Sequence, residues 1–351
     1  MIKTMIKAIK IKIKTYATHL HYLLKRHFIN QASLKDYRKI IHYLKVGFRN
    51  KFFNYPRLVM IEIGTTCNLQ CETCPTPREY LERPLILMNI DDFKKIIDNI
   101  KNYVHVVLLY VSNEPLLNPY LPEMIKYAAK NFLYVMISTN ATLLDEKKSN
   151  ELINAGLDEI LLCLDGMTKE SYELFRTGAD FDVVIKNIRN FCFEKKKRKL
   201  KKPYVEVQFI VTKLNQDQIP EIKKFSREIG SDRLKIKSLS IAEYCYSDKK
   251  RQELVDKFLP TREDAKVRYK KDIDGKIKKR KIAHCNTVKN QIVTLVDGRL
   301  VLCCYDVRGE YVYGNLLEKQ FKDIWFDQKN INKRKIAEKR QYALCKKCDL
   351  Y

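Results

Sequence analysis

Cys67-Asn68-Leu69-Gln70-Cys71-Glu72-Thr73-Cys74-Pro75 sets three thiols at C-x3-C-x2-C spacing within eight residues. It follows an apolar run, Leu58-Val59-Met60-Ile61-Glu62-Ile63, that reads as a short strand ended by Gly64 and Thr65. On a loop beyond a strand, residues so spaced can converge on one point. Thiolates favour soft metals and iron–sulfur clusters. Structural zinc ordinarily takes four protein ligands in closed, paired spacing, and no fourth Cys or His stands nearby. Three ligands on a four-iron cluster leave one iron open, and an open metal position is where chemistry occurs. Structural zinc and three unrelated buried thiols are the alternatives.

Outward from this loop, residues 57–240 alternate strand and helix patterns. Strands are expected at 58–63, 104–111, 132–138, 159–164, 204–212 and 234–240. Helical periods lie between them at 91–102, 121–130, 144–155, 168–176 with 181–196, and 216–229. Asp91 and Asp145 are expected as N-terminal caps, Gly156 and Gly230 as stops. Strands alternating with helices imply an α/β fold of parallel strands with right-handed crossovers, closed or nearly closed into a barrel. In such barrels the active site gathers at the C-terminal strand ends.

The cysteine spacing resembles the cluster loop of the radical S-adenosylmethionine (SAM) superfamily, whose core is a partial (β/α)6 barrel with that loop after its first strand. The resemblance implies a [4Fe–4S] cluster on Cys67, Cys71 and Cys74, with SAM chelated to the open iron. It further implies reductive cleavage of SAM to a 5′-deoxyadenosyl radical that removes hydrogen from a substrate C–H bond. Ser112-Asn113-Glu114-Pro115 looks like the family's G-G-E-P motif, in which Glu114 would accept from the SAM ammonium. Both glycines are replaced, and Asn tolerates unusual backbone angles better than most residues. Ser138-Thr139-Asn140-Ala141 resembles the S-T-N-G segment lining the SAM pocket, with Ala141 for Gly. Cys163-Leu164-Asp165-Gly166 resembles S-x-D-G, where the Ser helps bind ribose. Cys163 in its place is the weaker hydrogen-bond partner, and a small buried hydrophobe is the plainer role. Arg176 resembles the Arg that pairs with the SAM carboxylate, a geometry a guanidinium suits.

Past Ala242 the alternation stops. Asp297-Gly298 between Ile292-Val293-Thr294-Leu295-Val296 and Arg299-Leu300-Val301-Leu302 signals a hairpin, with Cys303 on its outgoing strand. Cys285-x12-Gly298-x4-Cys303 followed by Cys345-x2-Cys348 resembles the auxiliary-cluster region of the SPASM and twitch subfamilies. Cys285, Cys303, Cys345 and Cys348 would hold one auxiliary [4Fe–4S] cluster, closer to the twitch type. Gly314-Asn315-Leu316 and Asp323-Ile324-Trp325 are similar to the segment between those ligands. Cys304 competes with Cys303, and the four-residue gap favours Cys303. A four-Cys zinc ribbon is the alternative; His284 reads as a neighbour of Cys285, not a ligand. The expected domains are a basic helical extension over 1–55, a core barrel over 56–240 and a small cysteine-rich auxiliary-cluster domain over 241–351.

Among 351 residues, 68 Lys+Arg against 42 Asp+Glu give a net charge of +26. Such a field favours anionic partners, but Lys is scattered through most segments and reads first as solvated surface. The run Lys195-Lys196-Lys197-Arg198-Lys199-Leu200-Lys201-Lys202 reads likewise as a helix end and loop. Residues 1–51 hold 13 Lys+Arg against one acid, Asp36. Ile2, Met5, Ile6, Ile9, Ile13 and Tyr16 recur there at helical spacing with lysines around them, a pattern that packs across the main domain or lies on an anionic membrane surface. His19, His21, His27 and His42 read as ordinary helix residues. No run approaches the roughly 20 apolar residues of a membrane span, and no signal-peptide pattern follows the start. Eleven cysteines do not form a disulfide pattern, and reduced thiols carrying metal imply the cytoplasm, with peripheral attachment at the inner membrane face as an addition.

These readings converge on a radical SAM oxidoreductase acting on an unidentified substrate, with a small-molecule or glycan-like one favoured. A flavodoxin- or ferredoxin-like protein would supply the electron, and the auxiliary cluster would accept one from the substrate or only anchor its domain. A peptide or protein maturase of the same superfamily is the second reading. A non-catalytic, zinc-bearing nucleic-acid-binding protein is the third.

Overall fold

A computed structural model describes residues 37–74, 81–241, 243–262, 269–271, 277–279 and 284–348. The amphipathic pattern of residues 2–16, with His19, His21 and His27, lies outside the described residues, as does Pro75.

Six parallel strands follow one another in sheet order: β1 (Leu58–Ile61), β2 (Val106–Leu108), β3 (Tyr134–Thr139), β4 (Glu159–Cys163), β5 (Tyr204–Val211) and β6 (Arg233–Ser238). The order arises because each helix returns the chain to the neighbouring strand position in the same sense. The sheet does not close: β6 is an edge, and β1 pairs on its other side with β9 (Gln291–Thr294) instead. The hairpin of β9 and β10 (Arg299–Val301), joined by β11 (Val312–Asn315), extends the barrel wall to nine strands. Two short strands, β7 (Tyr269–Lys271) and β8 (Ile277–Lys279), form a separate ribbon. Gly298, at φ 84°, makes the turn of the β9–β10 hairpin.

The principal core lies between the outer sheet face and the helices. Val59, Ile61, Val107, Val135, Ile137, Ile160, Leu162, Val205 and Val207 alternate along the strands and are buried there. Alternate residues of a strand face opposite ways, so their neighbours turn into the barrel. Against the outer face pack α2 (Ile90–Ile100), α3 (Leu121–Lys130), α4 (Glu146–Ala155), α5 (Lys169–Phe175), α6 (Phe181–Lys197) and α7 (Ile219–Glu228). In α2, Phe93, Ile96, Ile97 and Ile100 are buried at the spacing of one helix face. Its cap is Asn89, not Asp91: Asn89 Oδ1 accepts from the Asp92 N–H at 2.8 Å, and Asp91 stands inside the first turn. There its charge complements the helix dipole. Asp145 caps α4 by accepting from the Lys148 N–H at 2.7 Å, and Gly156 ends that helix at φ 89°. Gly230, at φ 68°, follows the end of α7 by two residues.

The opposite, N-terminal end of the barrel is crossed by α1 (Tyr37–Phe53). The Tyr43 ring meets His105 edge-on at 4.6 Å, the His42 ring lies 3.4 Å from the Val104 carbonyl, and Arg49 donates to the Asn102 carbonyl. Lys39 reaches the buried Asp158 at 2.9 Å, and Lys202 reaches its other oxygen at 2.8 Å. The basic run 195–202 therefore has a divided role: Lys202 ties to Asp158 and Lys195 to Asp232, whereas Lys199 and Lys201 are exposed.

Burial alone would raise the Asp158 carboxyl, but Lys39, Lys202 and the Val135 N–H more than offset it and hold the group below its ordinary range. A carboxyl that binds its proton more weakly when folded contributes stability above the unfolded value of about 4 and loses it as pH falls. Asp158→Asn should therefore cost about 3 kcal/mol in urea unfolding at neutral pH, because it strands two lysines at a buried position. The difference from the native chain should shrink as the pH is taken below about 4.

Candidate active site

The C-terminal strand ends gather every residue of the first motif set. After β1, Gly64 bridges Leu87, and the Thr65 N–H donates to the Ile86 carbonyl at 3.0 Å. The chain then turns through Cys67, Cys71 and Cys74. Leu69 is buried beneath the loop, and the Gln70 N–H donates to the Thr177 carbonyl at 2.8 Å. Lys257, on the helix α8 (Asp248–Phe258), donates to the Glu72 carboxylate at 2.5 Å and so engages the acid of the loop. Burial first, then the charges of Glu114, Cys74 and Cys71, push the Cys67 thiol up to about 12. Burial likewise raises Cys71, although the nearby Arg176 charge opposes the shift. The three thiols lie within electrostatic reach of one another, and bound iron would displace their protons. Among the described residues, no group of three or more His, Cys, Asp or Glu side chains could hold a metal ion as the side chains stand.

Glu114 is buried beside this loop. Its N–H donates to the Thr66 carbonyl at 2.9 Å, while its carboxylate accepts from Thr139 Oγ1 (2.7 Å), the Asn140 N–H (2.8 Å) and the Leu116 N–H (3.1 Å). Burial pushes its carboxyl up to about 7 against those donors and Arg176. Asn140 reaches back to the cluster loop: its amide donates to Asn68 Oδ1 at 3.0 Å and stands 4.0 Å from the Cys67 sulfur. Neither Ser112 nor Asn113 has a positive φ, so the turn before Glu114 does not demand glycine. Ala141 does sit at φ 61°, where glycine would be easier, and Asn187 holds it by donating to its carbonyl at 2.9 Å.

Ser138 and Cys163, on adjacent strands, touch each other at 3.5 Å. Asp165 is fully buried, accepting from both Nε and a terminal nitrogen of Arg176 and, through Oδ1, from the Ile210 N–H. The guanidinium is thus held by Asp165 within electrostatic reach of the Cys71 sulfur. Gly166 is required by close approach: a Cβ there would lie 2.7 Å from Ser171 Oγ and 2.8 Å from the Tyr172 backbone.

The second thiol set assembles beyond β10. The strand ends at Val301, so Cys303 lies in the turn that follows and not on the strand itself. Cys345 is raised to about 11 by burial, then by Cys285 and Cys348, and Cys285 packs against the small cluster that contains Cys345. Burial and then Cys304 raise Cys303, with Cys348 also adding. Cys304 is raised to about 11 by burial and then by Cys348, with Cys285 contributing too, so five thiols share this region. Arg340 donates to the carbonyls of Cys345 and Cys348, shaping their loop. Gly314 lies under Ile324, and the buried Trp325 donates to the Asn54 carbonyl at 3.0 Å.

Sequence spacing did not signal Asn68, Tyr110 or the polar interior of β5 and β6. Tyr110 packs with Cys304 against the cluster of Met60, Val293, Leu295 and Val301, within electrostatic reach of Cys163. Tyr244 and Tyr305 meet edge-on at 4.9 Å, and both lie within electrostatic reach of one another and, for Tyr244, of Cys304.

The Radical SAM superfamily profile matches residues 61–225, and the profile of an iron–sulfur cluster-binding domain, SPASM, matches residues 285–349. The chain is 24% identical over 315 residues to the tungsten-containing aldehyde ferredoxin oxidoreductase cofactor-modifying protein of Pyrococcus furiosus, covering 84% of this chain and 87% of that one. It is 28% identical to the PqqA peptide cyclase of Bradyrhizobium diazoefficiens over 52% of this chain and 47% of the relative. Its fold is similar to Streptococcus suis SuiB bound to S-adenosylmethionine (TM-score 0.60, 17% identity, 95% of this chain and 82% of that one). It is also similar to native anSMEcpe with bound AdoMet (TM-score 0.58, 18% identity, 84% and 86%). The protein is a radical SAM enzyme with a C-terminal SPASM-type cluster domain. Its cofactors are a [4Fe–4S] cluster, an auxiliary cluster and SAM.

If Glu114 receives the SAM ammonium, affinity for SAM should rise as the pH passes upward through about 7, where the carboxyl ionises. Glu114→Gln, which sets an amide against the Asn140 N–H, should weaken SAM binding by about tenfold at pH 8, the loss of one charge-assisted hydrogen bond, and remove the pH dependence. Equilibrium dialysis on iron-replete protein measures both.

Proposed function

We propose that the chain is a radical SAM oxidoreductase in which residues 56–240 form the catalytic barrel and residues 241–351 carry one auxiliary cluster. Cys67, Cys71 and Cys74 would hold the catalytic cluster, and Cys285, Cys303, Cys345 and Cys348 the auxiliary one. When bound, the catalytic cluster and SAM supply a 5′-deoxyadenosyl radical for hydrogen abstraction from a substrate C–H bond. The observation that supports this reading is that the two family profiles match residues 61–225 and 285–349, with Cys67, Cys71 and Cys74 on the loop after β1 and Cys303 following β10.

In this reading Glu114 orients the SAM amino group. Asn140 and Asn68 fix the cluster loop against β3. Asp165 holds Arg176 near the cysteine loop, and its guanidinium would pair with the SAM carboxylate. Ser138 and Cys163 line the wall beyond. The substrate is a small or glycan-like molecule entering the interior, and the electron comes from a flavodoxin- or ferredoxin-like donor. A peptide substrate is the second reading, supported by the peptide cyclases among the relatives.

Protein purified without oxygen should be brown. Cys67→Ala and Cys285→Ala should each lose about half of the bound iron and sulfide, as loss of one of two equal clusters requires. Only the native chain and the second variant should release 5′-deoxyadenosine from SAM under reduction. Cluster-replete protein that never cleaves SAM with any reductant would overturn the proposal, and colourless zinc-loaded protein would favour the nucleic-acid-binding alternative.

A further inference from the structure

Among the described residues, one stretch exposes three large apolar side chains in a row: Leu85 (72%), Ile86 (43%) and Leu87 (42%). Single exposed hydrophobics are ordinary, but a consecutive run signals a contact surface. The run forms a short strap between the cysteine loop and α2, and its backbone is firmly held. The Thr65 hydroxyl donates to the Pro84 carbonyl at 2.7 Å and accepts from the Ile86 N–H at 2.8 Å. The Met88 N–H donates to the Ile63 carbonyl at 3.0 Å, and the Asn118 amide donates to the carbonyls of both Ile63 and Met88. Leu87 presses on Gly64 so closely that a Cβ there would lie 2.7 Å from its Cδ2.

The strap also joins the two thiol-bearing regions. At its start Arg83 donates through Nε to the Val307 carbonyl at 2.6 Å, in the turns that follow Cys303, and through a terminal nitrogen to Glu62 at 2.6 Å. One residue earlier, Glu82 accepts from Arg308 at 2.8 Å. Further on, the strap lies against Gly64 and Thr65, which lead directly into Cys67. The bonds hold the backbone at the rim of the barrel while Leu85 and Ile86 face solvent. A platform already rigid loses little conformational freedom when a partner settles on it.

The chemistry of the loop beneath selects the partner. Glu114, Asn140 and Arg176 reserve the interior for SAM and substrate, so a reductant must reach the cysteine loop from the rim. Electron-transfer partners meet over small, transient interfaces, and a chain of net charge +26 draws in an acidic protein.

We propose that Leu85 and Ile86 form the docking surface for an acidic one-electron carrier protein that reduces the cluster held at the cysteine loop. One electron leaves the carrier, which is oxidised, and enters at the loop of Cys67, Cys71 and Cys74. The proposal rests on the radical SAM reading of those cysteines and adds the place where the carrier meets the chain.

Reduction kinetics test the assignment. Holoenzyme without oxygen receives SAM and photoreduced flavodoxin over a range of concentrations, and 5′-deoxyadenosine is measured; a parallel series uses dithionite. Leu85→Gln should raise the KM for flavodoxin about tenfold, as loss of one buried apolar anchor gives. The rate at saturating flavodoxin and the rate with dithionite should stay as in the native chain. Leu85→Glu, which sets a like charge against the carrier, should raise the KM further. Phe193→Gln, at another exposed apolar residue on α6, should change nothing. An unchanged KM in both Leu85 variants overturns the proposal. So does an equal loss with dithionite, which would make the strap part of the site itself. A native chain that sediments as a dimer and a Leu85→Gln variant that sediments as a monomer would also overturn it, by marking the patch as a contact between two copies. Calorimetric titration of flavodoxin into native and Leu85→Gln holoenzyme reads docking directly, and it decides the proposal even if the native chain cleaves SAM with neither reductant, which would count against the enzyme reading.

Discussion

A single buried carboxylate holds the mouth of this barrel together. Glu114 joins three strand ends: its backbone donates to Thr66 after β1, and its side chain accepts from Thr139 and Asn140 after β3. Through Asn140 and Asn68 the same connection reaches the cysteine loop. Burying a carboxyl is costly unless donors surround it, and here the donors are the loops it organises. Removing the acid would leave their N–H groups facing one another without an acceptor, so loop positions and carboxylate depend on each other.

A second buried acid has the complementary task. Asp165 fixes Arg176 and the start of the β5 loop at once, through the guanidinium and the Ile210 N–H. Arg176 then carries positive charge to the Cys71 sulfur. The mouth of the barrel thus combines one carboxyl pushed upward by burial with one guanidinium held by an acid beside the cysteine loop.

Much of this was legible in the sequence. The six strands follow from apolar residues that alternate on the outer face, such as Val135, Ile137 and Val205, Val207, and those positions are buried as periodicity requires. The Asp145 cap and the Gly156 stop are local, so they could be read locally. Residue identity alone was less informative at motif glycines. Positions 112 and 113 do not use the freedom that glycine gives, whereas Ala141 occupies a left-handed angle at a cost of about 1 kcal/mol. Long-range pairings were not legible at all. Nothing local in Gln291–Thr294 announces that it will lie beside β1, and the engagement of Arg176 by Asp165 arises only when the strand ends meet. Charge was the least readable property, since Lys195 and Lys202 are tied to internal acids while Lys199 and Lys201 in the same run are exposed.

The pairing of β9 with β1 has a mechanical corollary. β1 is hydrogen-bonded on one flank to β2 and on the other to the C-terminal hairpin that leads to Cys303. Glu62 adds a clasp, accepting from Arg83 and from the Val296 N–H. The strand that launches the first cysteine loop is thus also the seam to which the second thiol set is stitched. Such a seam fixes the span between the two centres as rigidly as a sheet is rigid, and it makes the two halves poor candidates for exchange as independent modules.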